Sequence, residues 1–200
     1  MDKTQIICGI HWLLCCFIHS FLAHPYVKSR LSSFFRLGNN SYRIIYNVIA
    51  FLYLVTLFLY HFQLKSTQVI APSAPLQVIA ICLAIGGLLI MVLSITRYFK
   101  QLSGAFKEKQ VPELYTGGLN AIVRHPLYFG TFVFLIGLTL YWPMLKNLVA
   151  VSIIIIYTLL GIFLEEKKLL REFGKAYKDY QDKVPMILPR LRPKKTIPTG

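Results

Sequence analysis

Charge is what this sequence has least of. Aspartate, glutamate, lysine and arginine make up 15% of the 200 residues, and only eight are acidic. Soluble domains carry about a quarter. Hydrophobic residues reach 56%, with a mean hydropathy of +0.56, so an ordinary soluble domain is excluded. Cysteine is scarce as well. Cys8, Cys15, Cys16 and Cys82 all sit in apolar runs, without metal-ligand spacing or extracellular placement. That excludes a disulfide framework, gives no metal site, and leaves small apolar packing residues. Absent too is a small-residue cleavage site between the first apolar run and His24-Pro25. The run is also long for a signal peptide, so it reads as a retained first span.

What the chain has instead is apolar stretches long enough to cross a bilayer. Five spans are expected, over residues 5–23, 44–62, 76–96, 126–142 and 148–164. The fold class that follows is all-α: an integral membrane bundle of about five transmembrane helices. The first span carries His11 and His19, and ionisable groups inside a membrane are functional candidates. In residues 24–43, Lys28, Arg30, Arg36 and Arg43 alternate with Leu31, Phe34, Phe35 and Leu37. That suits a short amphipathic segment lying on the membrane surface. A turn at residues 38–41 closes it. Tyr46, Tyr53 and Tyr60 suit interfacial anchoring or a cavity wall, and Gly86-Gly87 suits close helix packing.

Nineteen of the 22 lysines and arginines fall on one side of these spans and three on the other. The positive-inside rule then places the N-terminus outside and the C-terminus in the cytoplasm. The same distribution makes the net charge of +14 a matter of anionic lipid, not nucleic acid. The whole chain, 1–200, reads as a single domain. Its parts are the first three spans and a connector (1–113), a chemically richer region (114–189) and a basic tail (190–200).

The richest stretch is Arg124-His125-Pro126-Leu127-Tyr128-Phe129-Gly130. Pro126 keeps His125 extended and suits the first turn of a helix, so Arg124 and His125 flank a helix N-terminus that favours anionic groups. A second polar cluster, Glu165-Glu166, follows the last span. Spans four and five make an out-and-back hairpin, and helices of similar rise return the chain to its starting level. Both clusters should therefore reach one aqueous side, the cytoplasmic one. Ahead of them, Tyr115-Thr116-Gly117-Gly118-Leu119-Asn120 forms a loop able to approach a ligand. Behind them, Leu169, Leu170 and Phe173 share a helical face, Gly174 marks a break, and Tyr177 and Tyr180 share the next turn. Residues 184–189 read as an extended plug over a pocket.

Arg-His-Pro-Leu-Tyr-Phe-Gly, then an apolar hairpin, then Glu-Glu-x-x-Leu-x-x-x-Phe-Gly-x-x-Tyr-x-x-Tyr-x-x-x-Val-Pro resembles the isoprenylcysteine carboxyl methyltransferase superfamily. The likeness covers residues 114–189. Membrane phospholipid N-methyltransferases and methanethiol S-methyltransferases share much of it. His19-Ser20 and Tyr42-Arg43-Ile44-Ile45-Tyr46-Asn47 are similar to the bacterial NnrU-like branch, which implies a bacterial inner membrane. The resemblance implies methyl transfer from S-adenosylmethionine to a small or lipophilic acceptor, a carboxylate, thiol or amine. It implies a cofactor site of His125, Pro126, Leu127, Tyr128 and Glu165, with Arg124 and Glu166 beside them. Asn120, which stands where the family often has a tyrosine, counts with the cofactor site, its contacts altered by that departure. Gly161 stands where the isoprenylcysteine enzymes carry a substrate arginine, which counts against a prenylated-cysteine substrate but not against cofactor binding. In chemical terms, Arg124, His125 and the helix N-terminus suit the cofactor's carboxylate or adenine. Glu165 suits its ammonium or ribose hydroxyls, and Tyr128 can donate or stack. An amine or thiol acceptor needs a base, for which His125 is the candidate. Two alternatives stand beside this reading: a non-enzymatic NnrU-like accessory protein, and an NADPH-dependent reductase of the membrane sterol type.

Overall fold

The computed structural model describes residues 3–104 and 114–190. Part of the connector, with Lys107, Glu108, Lys109 and Glu113, and tail residues 191–200 lie outside it. Among the described residues there are seven α-helices and no strand: α1 (Lys3–Ala23), α2 (Pro25–Phe34), α3 (Asn39–Gln63), α4 (Ala74–Gly104), α5 (Pro126–Tyr141), α6 (Leu145–Phe173) and α7 (Lys175–Lys183). A 3-10 turn, Gly118–Ala121, precedes α5. Four helices are long and apolar enough to cross a membrane, over Lys3–Ala23, Asn40–Gln63, Ala74–Thr96 and Leu145–Phe173, and α5 is a shorter apolar helix. Large apolar side chains such as Phe17, Phe51, Val78 and Leu160 stay more than half exposed. In water that surface would aggregate; in a bilayer it is the outer wall. The fold is an all-α membrane bundle.

Two element boundaries differ from expectation. The turn at 38–41 is the start of α3, with Gly38 as its extended N-cap, because Asn and Ser suit a helix start as well as a turn. The last span does not end at Leu164 as a helix. It continues through Glu165-Glu166 to Phe173, since Glu, Lys, Leu and Arg are good helix formers and no Gly or Pro intervenes.

The chain divides into two compact units, Met1–Ala71 with Trp142–Tyr157, and Pro72–Tyr141 with Thr158–Gly200. The first unit is centred on Cys8, Trp12, Leu57 and Ala150. Its buried histidine is His61. Trp12 Nε1 donates to His61 Nδ1 at 3.3 Å, so His61 Nε2 bears the hydrogen and donates to Asn147 Oδ1 at 2.8 Å. The histidines singled out by position are placed differently. His11 bonds Ile7 O of its own helix, and exposed His19 meets the Tyr46 ring edge-on. A cavity of about 430 Å³ is lined by Lys65, Ser66, Trp142, Lys146 and Asn147 among others. Much of its polar lining is committed locally. Lys146 Nζ donates to His61 O and Leu64 O, its backbone N–H to Ser66 Oγ, and Asn147 Nδ2 to Trp142 O.

In the second unit α4 and α5 meet along a seam of small residues. A Cβ on Gly87 would collide with Phe134 N and sit 2.7 Å from Gly130 O; one on Gly137 would sit 2.8 Å from Ala80 O. Such close backbone approach supplies the packing that drives helix association in lipid. Of the pair Gly86-Gly87, only Gly87 serves this seam, for Gly86 faces open space. Because α5 carries Pro126 at its start, the seam also sets the height of the polar motif. Gly87→Val is expected to cost about 1–3 kcal/mol, the overpacking range, since backbone cannot move aside as a flexible side chain does. Thermal unfolding in detergent measures this; a variant as stable as the parent would refute the seam.

Candidate functional site

The site is built where the start of α5, the far end of α6, and α7 converge. Arg124 and His125 are held first by their backbones. Arg124 N donates to Pro185 O at 2.9 Å and His125 N to Met186 O at 3.1 Å. The segment after α7 therefore lies along the motif in extended form. Gly174 makes this possible. Its φ of 53° and ψ of −124° suit glycine alone, and they turn the chain from α6 into α7. After that turn Tyr177, Tyr180 and Val184 pack on Leu114, Leu169 and Phe173. Tyr180 Oη donates to Asn120 O at 2.6 Å, and Asn120 Nδ2 donates to Arg124 O at 3.1 Å, which ties the 3-10 turn to the motif.

At the centre lies Glu166, 7% exposed. Arg124 grips it bidentately, Nε to Oε1 and Nη2 to Oε2, both at 2.8 Å. His125 Nε2 lies 2.8 Å from Oε1, Tyr177 Oη donates to Oε1 at 2.7 Å, and Gln181 Nε2 to Oε2 at 2.6 Å. Arg124 Nη1 turns to the carbonyls of Gln181 and Val184 at 3.3 and 2.6 Å. Such a fork is worth its desolvation only when the remaining atoms are satisfied, as they are here.

Glu166 lies beyond the apolar run that ends at Leu164. Burial alone would push its carboxyl up, but the Arg124 guanidinium, then Tyr177, His125 and Gln181, outweigh burial and bring it down to about 2 from 4.5. The sign follows. The carboxylate contributes stability that is fully present above the unfolded value of 4.5 and is lost as pH falls through the folded value near 2. Acid titration should loosen this unit progressively below pH 4.5, and Glu166→Gln should abolish that component; tryptic cleavage after Lys178 or Lys183, following acid pulses, reads it. Tyr177 is pushed up by burial and by the neighbouring carboxylate, so it stays a donor.

Glu165 points elsewhere. Its side chain is 44% exposed, and Oε2 lies 3.9 Å from His125 Nδ1. With Ser94, Leu119, Asn120, Arg124, His125, Pro126, Leu127 and Tyr128 it lines a cavity of about 370 Å³. Every site residue singled out in the sequence except Glu166 lines this cavity, and Glu166 sits behind it. Tyr128 packs its ring 5.8 Å from that of His125. Sequence reasoning did not pick out Ser94, Tyr177 or Gln181 as site residues. Tyr177 and Gln181 are four apart on one face of α7, a spacing that marks them as partners. Ser94 carried no signal. Among the described residues no cluster of metal-ligating side chains occurs.

Helices, cavity and apolar exterior define a multi-pass integral membrane protein with a polar site at one end of its α5–α6 hairpin. Residues 7–191 match the NnrU protein family, and the chain belongs to that family. It is also similar to methanethiol S-methyltransferases. The one from Pseudomonas deceptionensis is 40% identical over 97 residues, 46% of this chain and 32% of that protein. Those of Crocosphaera subtropica and Bradyrhizobium diazoefficiens are 38% and 34% identical over 90 residues, 42% and 43% of this chain. The chain spans about a third of the length of these curated relatives. No solved structure matches it.

Proposed function

We propose that this protein is a membrane methyltransferase, dependent on S-adenosylmethionine and built like the isoprenylcysteine carboxyl methyltransferase superfamily, acting on a small or lipophilic acceptor. One observation carries the reading. A half-exposed carboxylate, Glu165, shares a cavity with His125, Tyr128 and Asn120 at the N-terminus of α5. The donor set fits the cofactor. Glu165 suits its ammonium or ribose hydroxyls, the positive end of α5 suits its carboxylate, and Leu119, Pro126 and Leu127 offer apolar wall to its adenine. When bound, the cofactor supplies an electrophilic methyl on sulfur. The chain's own contribution is alignment and exclusion of water, which suffice for much of such a rate. Arg124 lines the cavity but spends its guanidinium on Glu166 behind it, so this pair holds the motif instead of meeting the ligand. The relatives named for methanethiol methylation support the class of reaction.

The test is calorimetric titration of detergent-purified protein with S-adenosylmethionine and, in parallel, with NADPH. Binding of the first alone is expected. Binding of NADPH instead would make the protein a reductase, and binding of neither would make it an accessory protein. The bias of basic residues supports an N-terminus outside and a cavity opening to the cytoplasm, in the bacterial inner membrane that this reading assigns. A cysteine placed at Thr67 should react with an impermeant maleimide from outside whole spheroplasts; labelling only after lysis reverses the orientation.

A further inference from the structure

Glu166 also settles the proton on His125. An ionised carboxylate only accepts, so the 2.8 Å contact requires hydrogen on Nε2. Nδ1 is then the free nitrogen. It has no hydrogen-bond partner among the described residues, its nearest carboxylate oxygen is Glu165 Oε2 at 3.9 Å, and both residues line the cavity. The groups facing His125 are Glu165 and Glu166 of α6, Arg124 before α5 and the Tyr128 ring; from α7 the Tyr177 hydroxyl and the Gln181 side-chain amide bond to Glu166. Ser94 of α4 lines the same cavity.

This arrangement discriminates among acceptors. Among the described residues lining the cavity, Arg124 is the permanent cation, and its guanidinium is committed to Glu166 and two carbonyls. Among the described residues a carboxylate acceptor would find no free cation, and it would meet Glu165. An alkylamine arrives as an ammonium ion at neutral pH and must first lose a proton to free its lone pair. A thiol must lose its proton to become a strong nucleophile.

We propose that His125 Nδ1 is the proton acceptor for a neutral thiol substrate, with Glu166 as the positioning residue that leaves this nitrogen free. The inference rests on the methyltransferase reading above. The acceptor sulfur forms the new C–S bond to the methyl carbon while its proton passes to Nδ1. The old methyl–sulfonium bond breaks, and its electron pair stays on the departing sulfur. The products are a methyl thioether, neutral S-adenosylhomocysteine and an imidazolium, which sits between Glu165 and Glu166 until it releases the proton to water.

His125→Gln keeps a donor toward Glu166 and removes the base. At saturating S-adenosylmethionine, turnover of an alkanethiol, protonated at neutral pH, should fall about 100-fold or more. Turnover of an aromatic thiol, already ionised there, should fall less than about fivefold. Equal losses for both thiols would overturn the proposal and leave His125 a structural residue. A wild-type protein that binds the cofactor yet methylates neither thiol would overturn it while leaving the cofactor assignment intact. Failure to bind the cofactor at all would sink the methyltransferase reading itself. Nitrogen-15 NMR of the wild-type protein gives a readout apart from activity: hydrogen on Nε2 with Nδ1 bare is expected, and the opposite tautomer refutes the assignment.

Discussion

Replacing Glu166 by alanine is expected to lower the unfolding free energy by about 3–5 kcal/mol, the cost of stranding a buried charge. The reason is the number of groups that share this carboxylate. Arg124, whose side chain is 10% exposed, would keep its charge and lose both arms of its fork, and His125, Tyr177 and Gln181 would lose an acceptor. Native domains are stable by only about 5–15 kcal/mol, so the loss should appear as a large fall in melting temperature in detergent. Glu166→Gln keeps the shape and should cost less, about 1–3 kcal/mol. Removing both charges together, as in Arg124→Met with Glu166→Leu, should recover part of the loss, because no unpaired ion remains. A loss under about 1 kcal/mol in Glu166→Ala would show that the cluster is solvated and does not hold the motif.

The neighbouring substitution should behave in the opposite way. Glu165→Ala removes a half-exposed side chain whose described contact is a 3.9 Å approach to His125, so stability should move by less than about 0.5 kcal/mol. If Glu165 accepts a hydrogen bond from the cofactor's ammonium, its loss removes a charge-assisted bond worth about 1.5–3 kcal/mol. That is roughly a ten- to hundredfold weakening of S-adenosylmethionine binding. Calorimetry on the folded variant reads it directly. Unchanged affinity, or a loss of affinity matched by a loss of folding, would remove Glu165 from the site. Two adjacent glutamates are thus predicted to differ in kind: one supports the fold, the other meets the ligand.

That difference shows where reading the sequence stops. Long apolar runs, their charged flanks and the Arg-His-Pro start of α5 are local properties, and each is visible in a window of about twenty residues. Hydropathy names the spanning helices because a bilayer demands apolar length and internal hydrogen bonds. The return of the Glu-Glu pair to the level of Arg124 is legible too, since it needs only two helices and a tight turn. Helix ends were less legible. Good helix formers carry α6 past the apolar run, and Gly174, not the loss of hydrophobicity, ends it.

Which glutamate turns inward was not a local matter. Successive residues on an α-helix point about 100° apart, so only one of Glu165 and Glu166 can share the buried face. Packing decides which. Ile162 is fully buried, and Glu166 lies four residues further along the same face. From the other side, the turn at Gly174 brings Tyr177 and Gln181 to that carboxylate. The sequence by itself determined an all-α membrane bundle and two polar clusters at one end of its last hairpin, because hydropathy and helical rise act along the chain. Only the tertiary structure decided that Arg124 and Glu166 would clasp each other while Glu165 and His125 lined the cavity, because rotation of a helix is set by what packs against it.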